Sequence, residues 1–360
     1  MTKYIYKDDK DKLLINNSFN NIAYLILGKN NKKRINILRK VFEEKVKRVC
    51  IIPQGNKTSR INEHVPGICY LDEASNKIII EMLGFVNSKS NQALFIEHEG
   101  THEFCHAIVD ILSDDEFSAR EGEIIDGVKC SNSMGLIKET DPETGEFVDN
   151  RFYNKMFNET MMDIISSMAI NATKGRNIDD MLYKPYTAWN NATTGYSTFT
   201  SITRLAIAAF SNNPNANYSN ISKSGEGIFD VETIMENGKS YKANDFLYGI
   251  VFDQLYIGRQ FDKFMGKGYY RLLCHFLDRM FVNYKDSREI NPSDVKVVMN
   301  VLADFLNKKY QYYVSNGIMK EENANKMISN FNVIWNSLQS EYSAFFTEEE
   351  IDEIAIRAGY

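Results

Sequence analysis

A chain of 360 residues, 43% hydrophobic and 25% charged, has the composition of a globular protein able to bury a substantial core, as one large domain or two intimate ones. Its formal net charge of −6 gives no electrostatic footing for binding nucleic acid. No stretch approaches the roughly 20 apolar residues of a membrane helix, and Met1 to Lys10 lacks the apolar run of a signal peptide, so neither membrane insertion nor cleavable export is expected. Cys50, Cys69, Cys105, Cys130 and Cys274 are odd in number and scattered, without a C-x-x-C pair; they are read as reduced thiols, and the expected location is the cytoplasm.

The first region, residues 1–89, mixes helix and strand. Ile35, Leu38 and Phe42 form a helical stripe, followed by a strand over Val49 to Ile52. The basic residues from Lys32 to Arg48 are read as a solvated helix face. A hairpin is predicted between Gly67–Leu71 and Lys77–Glu81 across a short polar turn.

The second region, residues 90–210, carries the chemistry. Residues 98 to 106 read His-Glu-Gly-Thr-His-Glu-Phe-Cys-His, which contains H-E-x-x-H twice, overlapping at His102. Ser90 and Asn91 as cap residues, and apolar Ala93, Leu94, Ile96, Ala107, Ile108 and Leu112, predict a helix over about 91–112. Four residues advance a helix by about 400°, so imidazoles at this spacing share a face and can grip one ion. Two registers are open: His98 and His102 with Glu99 as base, or His102 and His106 with Glu103. The second is favoured, because it places uncharged Phe104 and Cys105 inside the motif and Ala107 and Ile108 after it. Cys105 is read as a small packing residue.

After the motif, Gly135–Lys138 and Glu146–Val148 flank Asp141-Pro142-Glu143-Thr144-Gly145, a predicted hairpin that is either a flap over a cleft or a surface excursion. A second helix opens at Asn158-Glu159-Thr160-Met161-Met162-Asp163 and stops at Lys174-Gly175. Glu159 and Asp163 share a face, which suits one carboxylate on a metal and one accepting the free N–H of a ligand histidine. Glu121, Glu123 and Asp126 are competing third ligands without such a partner.

These two helices together resemble the gluzincins, the thermolysin-like branch of zinc metallopeptidases, whose pattern is H-E-x-x-H on one helix and N-E-x-x-x-D on a later one. The resemblance covers only these helices, and the gap between His106 and Glu159 is longer than in thermolysin itself, closer to neprilysin-like members. It implies one zinc per chain held by His102, His106 and Glu159, with Asp163 orienting His102 and Glu103 as general base. It also implies a Tyr or His aimed at the developing oxyanion, for which Tyr196 ranks above His275. Gluzincins bind peptide backbone on an edge strand before the active-site helix, and residues 77–82 are either placed in sequence to serve as that strand or are simply an internal strand.

Residues 211–226, rich in Asn and Ser, are predicted as a loop within the third region, 211–360. From about 240 the pattern is helical, with Ser293-Asp294 capping a run through Phe305, a helix over about 321–345, and a capping box at Thr347 and Glu350. The expected architecture is α+β: a small mixed part with a sheet, then a mainly helical body. The expected function is zinc-dependent endopeptidase activity on a peptide or protein substrate, without nucleic-acid or membrane partners. The rival reading is a regulatory protein that keeps the zinc site without turnover, and a weaker one is an effector protease exported without a cleavable signal.

Overall fold

The computed structural model describes residues 2–56, 61, 66–72, 74–84, 90–113, 137–140, 147–150, 155–183, 197–213, 217–229, 245–252, 254–287 and 292–341. The N-terminal part consists of β1 (Lys3–Ile5), α1 (Asp9–Leu27), α2 (Lys32–Lys45), β2 (Val46–Ile52), β3 (Gly67–Asp72) and β4 (Lys77–Leu83). Asp8 starts α1 by accepting from the backbone N–H groups of Lys10 and Asp11, at 2.9 and 3.1 Å. Ile15, Phe19, Ile22 and Ile26 recur at helical spacing and are buried.

The four strands form one sheet in the order β1-β2-β4-β3. β1, β2 and β4 run parallel, and β3 returns antiparallel to β4 through the expected hairpin. Residues 77–82 are therefore not an edge strand: β4 is hydrogen-bonded to β2 on one side and β3 on the other. Its sequence carries the reason. Ile78, Ile79 and Ile80 are consecutive and all buried, so both faces of the strand are covered, as an interior strand requires. Among the described residues the edges are β1 and β3, and β3 is the one that α3 crosses.

Helix α3 (Ser90–Leu112) lies across β3 and β4 and against α1 and α2. Gly100 sets this approach: a Cβ there would stand 3.2 Å from the Met82 sulfur and 3.2 Å from the Ser18 hydroxyl. A mid-helix glycine costs about 1 kcal/mol against alanine, and the close seating of α3 on α1 and β4 offsets it. Phe104 stacks on Phe42 of α2 with ring centroids 5.4 Å apart.

The mainly helical body comprises α4 (Lys155–Thr173), α5 (Asp180–Tyr183), α6 (Ser197–Phe210), α7 (Tyr218–Ser224), α8 (Asp245–Phe252), α9 (Gln254–Met265), α10 (Tyr269–Ser287), α11 (Pro292–Ser315) and α12 (Glu321–Glu341). The architecture is thus mixed, with the sheet near the N-terminus, as the sequence predicts. A separate hairpin pairs β5 (Ile137–Thr140) with β6 (Phe147–Asn150). The predicted loop over 211–226 contains α7, which Asn217 caps through its side chain by accepting from the Asn220 N–H. The capping box at Thr347 and Glu350 lies outside the described residues.

Helix α4 packs beside α3 and α1, with α6, α8 and α10 on its other sides. Behind it Phe210 meets Phe246, Phe261 and Phe305 at centroid distances of 5.3, 6.1 and 4.5 Å. Lys309 enters this layer and donates to the Ala209 and Ser211 carbonyls at 2.5 and 3.0 Å, satisfying the C-terminus of α6. Among the described residues, no helix is long and apolar enough to cross a membrane.

Candidate metal centre

His98, His102 and His106 stand one turn apart on α3, with ring centroids separated by 6.4 and 4.8 Å. The Nε2 atoms of His102 and His106 approach to 3.0 Å. From α4, Glu159 reaches in so that its Oε2 lies 3.7 Å from His102 Nε2 and 3.8 Å from His106 Nε2. The donor atoms of His102, His106 and Glu159 all fall within 4.8 Å of one another. Tetrahedral ligands at about 2.0–2.1 Å from an ion stand about 3.3 Å apart. The observed spacings bracket that value, so the three residues fit around one metal ion. Two imidazoles and one carboxylate are the donor chemistry of a borderline-soft ion such as zinc.

Asp163 completes the set one turn along α4. Its Oδ1 lies 2.8 Å from His102 Nδ1. A carboxylate at this distance favours a proton on Nδ1, so that loss of the other proton to a metal ion would leave the imidazole lone pair on Nε2, toward His106 and Glu159. The electrostatics of the metal-free site follow from burial and crowding. Burial works to lower the His102 pKa, but the Asp163 and Glu159 carboxylates outweigh it and hold the ring well above the usual histidine range. Burial likewise works to raise Glu159, and the two histidines beside it hold it well below the ordinary carboxylate value. Both shifts favour the charged pairing that a cation would replace.

Glu103 is 6% exposed and behaves differently. Burial pushes its carboxyl up to about 8; the charge of His102 pulls it down, and the carboxylates of Glu99, Glu159 and Asp163 push it further up. A carboxyl group with a pKa near neutrality can both accept and release a proton at working pH.

His98 is buried but directed elsewhere. Its Nε2 lies 3.4 Å from the backbone oxygen of Asp163, a long contact that ties α3 to α4, and its Nδ1 lies 3.6 Å from Glu99. The alternative set of His98, Glu99 and His102 is not among the metal-compatible groups of the described residues. Cys105 is fully buried, and desolvation raises its thiol pKa, which suits an inert packing residue. His275 is exposed on α10. Tyr196, and the competing acids Glu121, Glu123 and Asp126, lie outside the described residues.

One contributor escapes sequence reasoning. Asp278, on α10 and 2% exposed, accepts from the Met156 N–H at 2.7 Å and the Lys155 N–H at 3.1 Å. It thus caps the first turn of α4, one turn before Glu159, across 122 residues of chain. The one available sign is a carboxylate on the apolar face of α10, between Cys274, Leu277 and Phe281. A second tie is the Thr160 hydroxyl on that of Thr203, 2.5 Å away on α6. In comparisons with family models, curated proteins and solved structures, nothing matches this chain.

Proposed function

We propose that the protein is a zinc-dependent metalloendopeptidase of the gluzincin kind. The observation that carries this reading is the convergence of His102, His106 and Glu159 on one point, with Asp163 on the back of His102. A zinc ion held there would supply Lewis acidity to a water and to the carbonyl of a scissile peptide bond. In this reading Glu103 accepts a proton from the attacking water at its carboxylate and later releases it to the leaving amine nitrogen. Asp163 keeps the Nδ1 proton on His102, so that Nε2 remains a donor throughout. Tyr196 is assigned to the developing oxyanion by resemblance. Strand β3, whose far side carries no paired strand among the described residues, takes the substrate-strand role first expected of residues 77–82.

The test is to dialyse the purified chain, measure its zinc, and offer it an unbiased peptide library with and without a chelator. About one zinc per chain is expected, with cleavage abolished by chelation and restored by zinc. Glu103→Gln is expected to keep the metal and lose turnover. A chain that binds no zinc, or that cleaves equally well under chelation, refutes the proposal.

A further inference from the structure

Strand β3 begins at Gly67, and α3 lies across it so closely that the glycine has no room for a side chain. A carbon placed at the Cβ position of Gly67 would stand 2.7 Å from Cγ of Glu103, 2.8 Å from its Oε1 and 3.1 Å from its Cδ. Carbons in real proteins do not approach so closely. The backbone of Gly67 is not in the left-handed region, so glycine is needed here for space and not for conformation. We propose that Gly67 is a positioning residue for the proton-transfer group: the volume it leaves empty is where the Glu103 carboxyl is held. This rests on the reading of Glu103 as general base.

When a methyl group is introduced, either the strand or the glutamate has to move. The strand is tied down. Gly67 pairs with Met82, the antiparallel register continues to Asp72 opposite Lys77, and the Pro66 carbonyl accepts from the Leu83 N–H at 2.8 Å. β4 in turn is fixed by β2 and by the packing of buried Met82 under α3. The clashing atoms of Glu103 are the outer part of a rotatable side chain, which shifts by changing χ angles alone. Reaching ordinary contact at 3.4 Å requires a retreat of about 0.7 Å from the 2.7 Å position. The three atoms nearest that methyl all belong to Glu103, not to His102, His106 or Glu159. The substitution therefore displaces the carboxylate and leaves the metal ligands in place. Misplacement of a reacting group on the order of 1 Å costs about 100-fold in rate.

The experiment compares wild type, Gly67→Ala, Glu103→Gln and the double variant as full-length, zinc-loaded protein. Gly67→Ala is expected to keep zinc affinity within about 2-fold of wild type in chelator competition, while kcat falls about 10- to 100-fold. In the Glu103→Gln background the same alanine is expected to change kcat by less than about 2-fold, because the group it acts through is already disabled. A crystal structure of metal-free Gly67→Ala is expected to show the strand in place and the carboxylate moved. Unchanged kcat, a further loss on top of Glu103→Gln, loss of zinc, or an unmoved carboxylate each overturns the proposal. If Gly67→Ala does not fold, Glu103→Ala in the same chain removes the clashing atoms and is expected to restore folding; failure to do so also overturns it. Should the wild type show no hydrolysis at all, the enzymatic reading fails, while the carboxylate position still decides the steric claim.

Discussion

Glu103→Gln in the metal-free protein tests the electrostatics of the site independently of any substrate. Folding raises the Glu103 pKa from its ordinary 4.5 to about 8. Between those values the native chain holds a proton that the unfolded chain has released, so stability falls as pH rises across that window. Each pH unit contributes at most about 1.4 kcal/mol, which bounds the whole effect near 5 kcal/mol. Relaxation and water penetration in a real interior reduce this to an expected loss of about 2–4 kcal/mol. Glutamine is neutral at every pH and removes the dependence. Its own cost, an amide in a pocket shaped for a carboxyl group, is the same at pH 5 and pH 8. His102, also held above its ordinary value, likewise contributes stability that is lost as pH rises through its folded pKa. That contribution is present in both proteins, because its main sources are Asp163 and Glu159; only the smaller coupling of His102 to Glu103 differs between them. Urea denaturation with chelator present, at intervals from pH 4.5 to 8.5, is therefore expected to show the variant gaining on the wild type by about 2–4 kcal/mol. Parallel curves, with the difference constant to within about 0.5 kcal/mol, refute the claim that Glu103 is buried as a neutral acid.

The ligand set predicts that Glu159→Ala and His106→Ala lose zinc in equilibrium dialysis, whereas His98→Ala keeps it; the reverse pattern for the two histidines would move the site one turn back along α3. Asp163→Ala is expected to fold but to bind zinc about 10- to 100-fold more weakly, since the Nδ1 proton of His102 loses its acceptor. Wild-type affinity in chelator competition would show that the 2.8 Å contact does not orient the ring. Asp278→Ala is expected to lower stability by about 1–2 kcal/mol and to weaken zinc binding, because the first turn of α4 loses its acceptor just ahead of Glu159. A stability loss with unaltered zinc affinity would confine Asp278 to the scaffold.

Local signals carry far in this chain, and what they miss is long-range. The helix predicted over 91–112 is observed as Ser90–Leu112, and the second site helix ends at Thr173, just before Gly175 with φ of 68°. Both follow from spacing, caps and stop residues within a few positions of each other. The hairpin of β3 and β4 is equally local. The parallel pairing of β4 with β2 is not, because no turn sets it, and that is why residues 77–82 read as a candidate edge until the triple isoleucine is given its weight. Helix α1 has apolar residues at regular spacing but is interleaved with Asn and Lys, so its stripe is weak without knowledge of what it packs against. Of the site, the ligands and Asp163 are legible because two i,i+4 pairs encode them. The closeness of Gly67 to Glu103 and the cap from Asp278 arise where distant segments meet, and single-sequence spacing carries no record of such meetings.

The arrangement also explains how so crowded a set of acids and imidazoles can exist in a folded chain. From Met156 to Asn171 every residue of α4 is buried except Glu159. On α3, Phe104 stacks on Phe42 of the N-terminal part, Cys105, Ile108 and Ile111 are buried, and His102 and His106 turn toward α4. Neither helix can swivel without exposing its apolar face, so packing fixes the donors at ligand spacing before any ion arrives. The packing works against the charges it assembles. Buried Glu103 and Asp163 and half-buried Glu159 crowd two buried histidines, and carboxylates brought together in low dielectric repel. A divalent cation at the centre would relieve that repulsion and replace the 3.0 Å imidazole–imidazole hydrogen bond with two coordination bonds. Metal binding is therefore expected to stabilise the fold, and the increment should disappear in Glu159→Ala, the variant that removes one donor and part of the repulsion together.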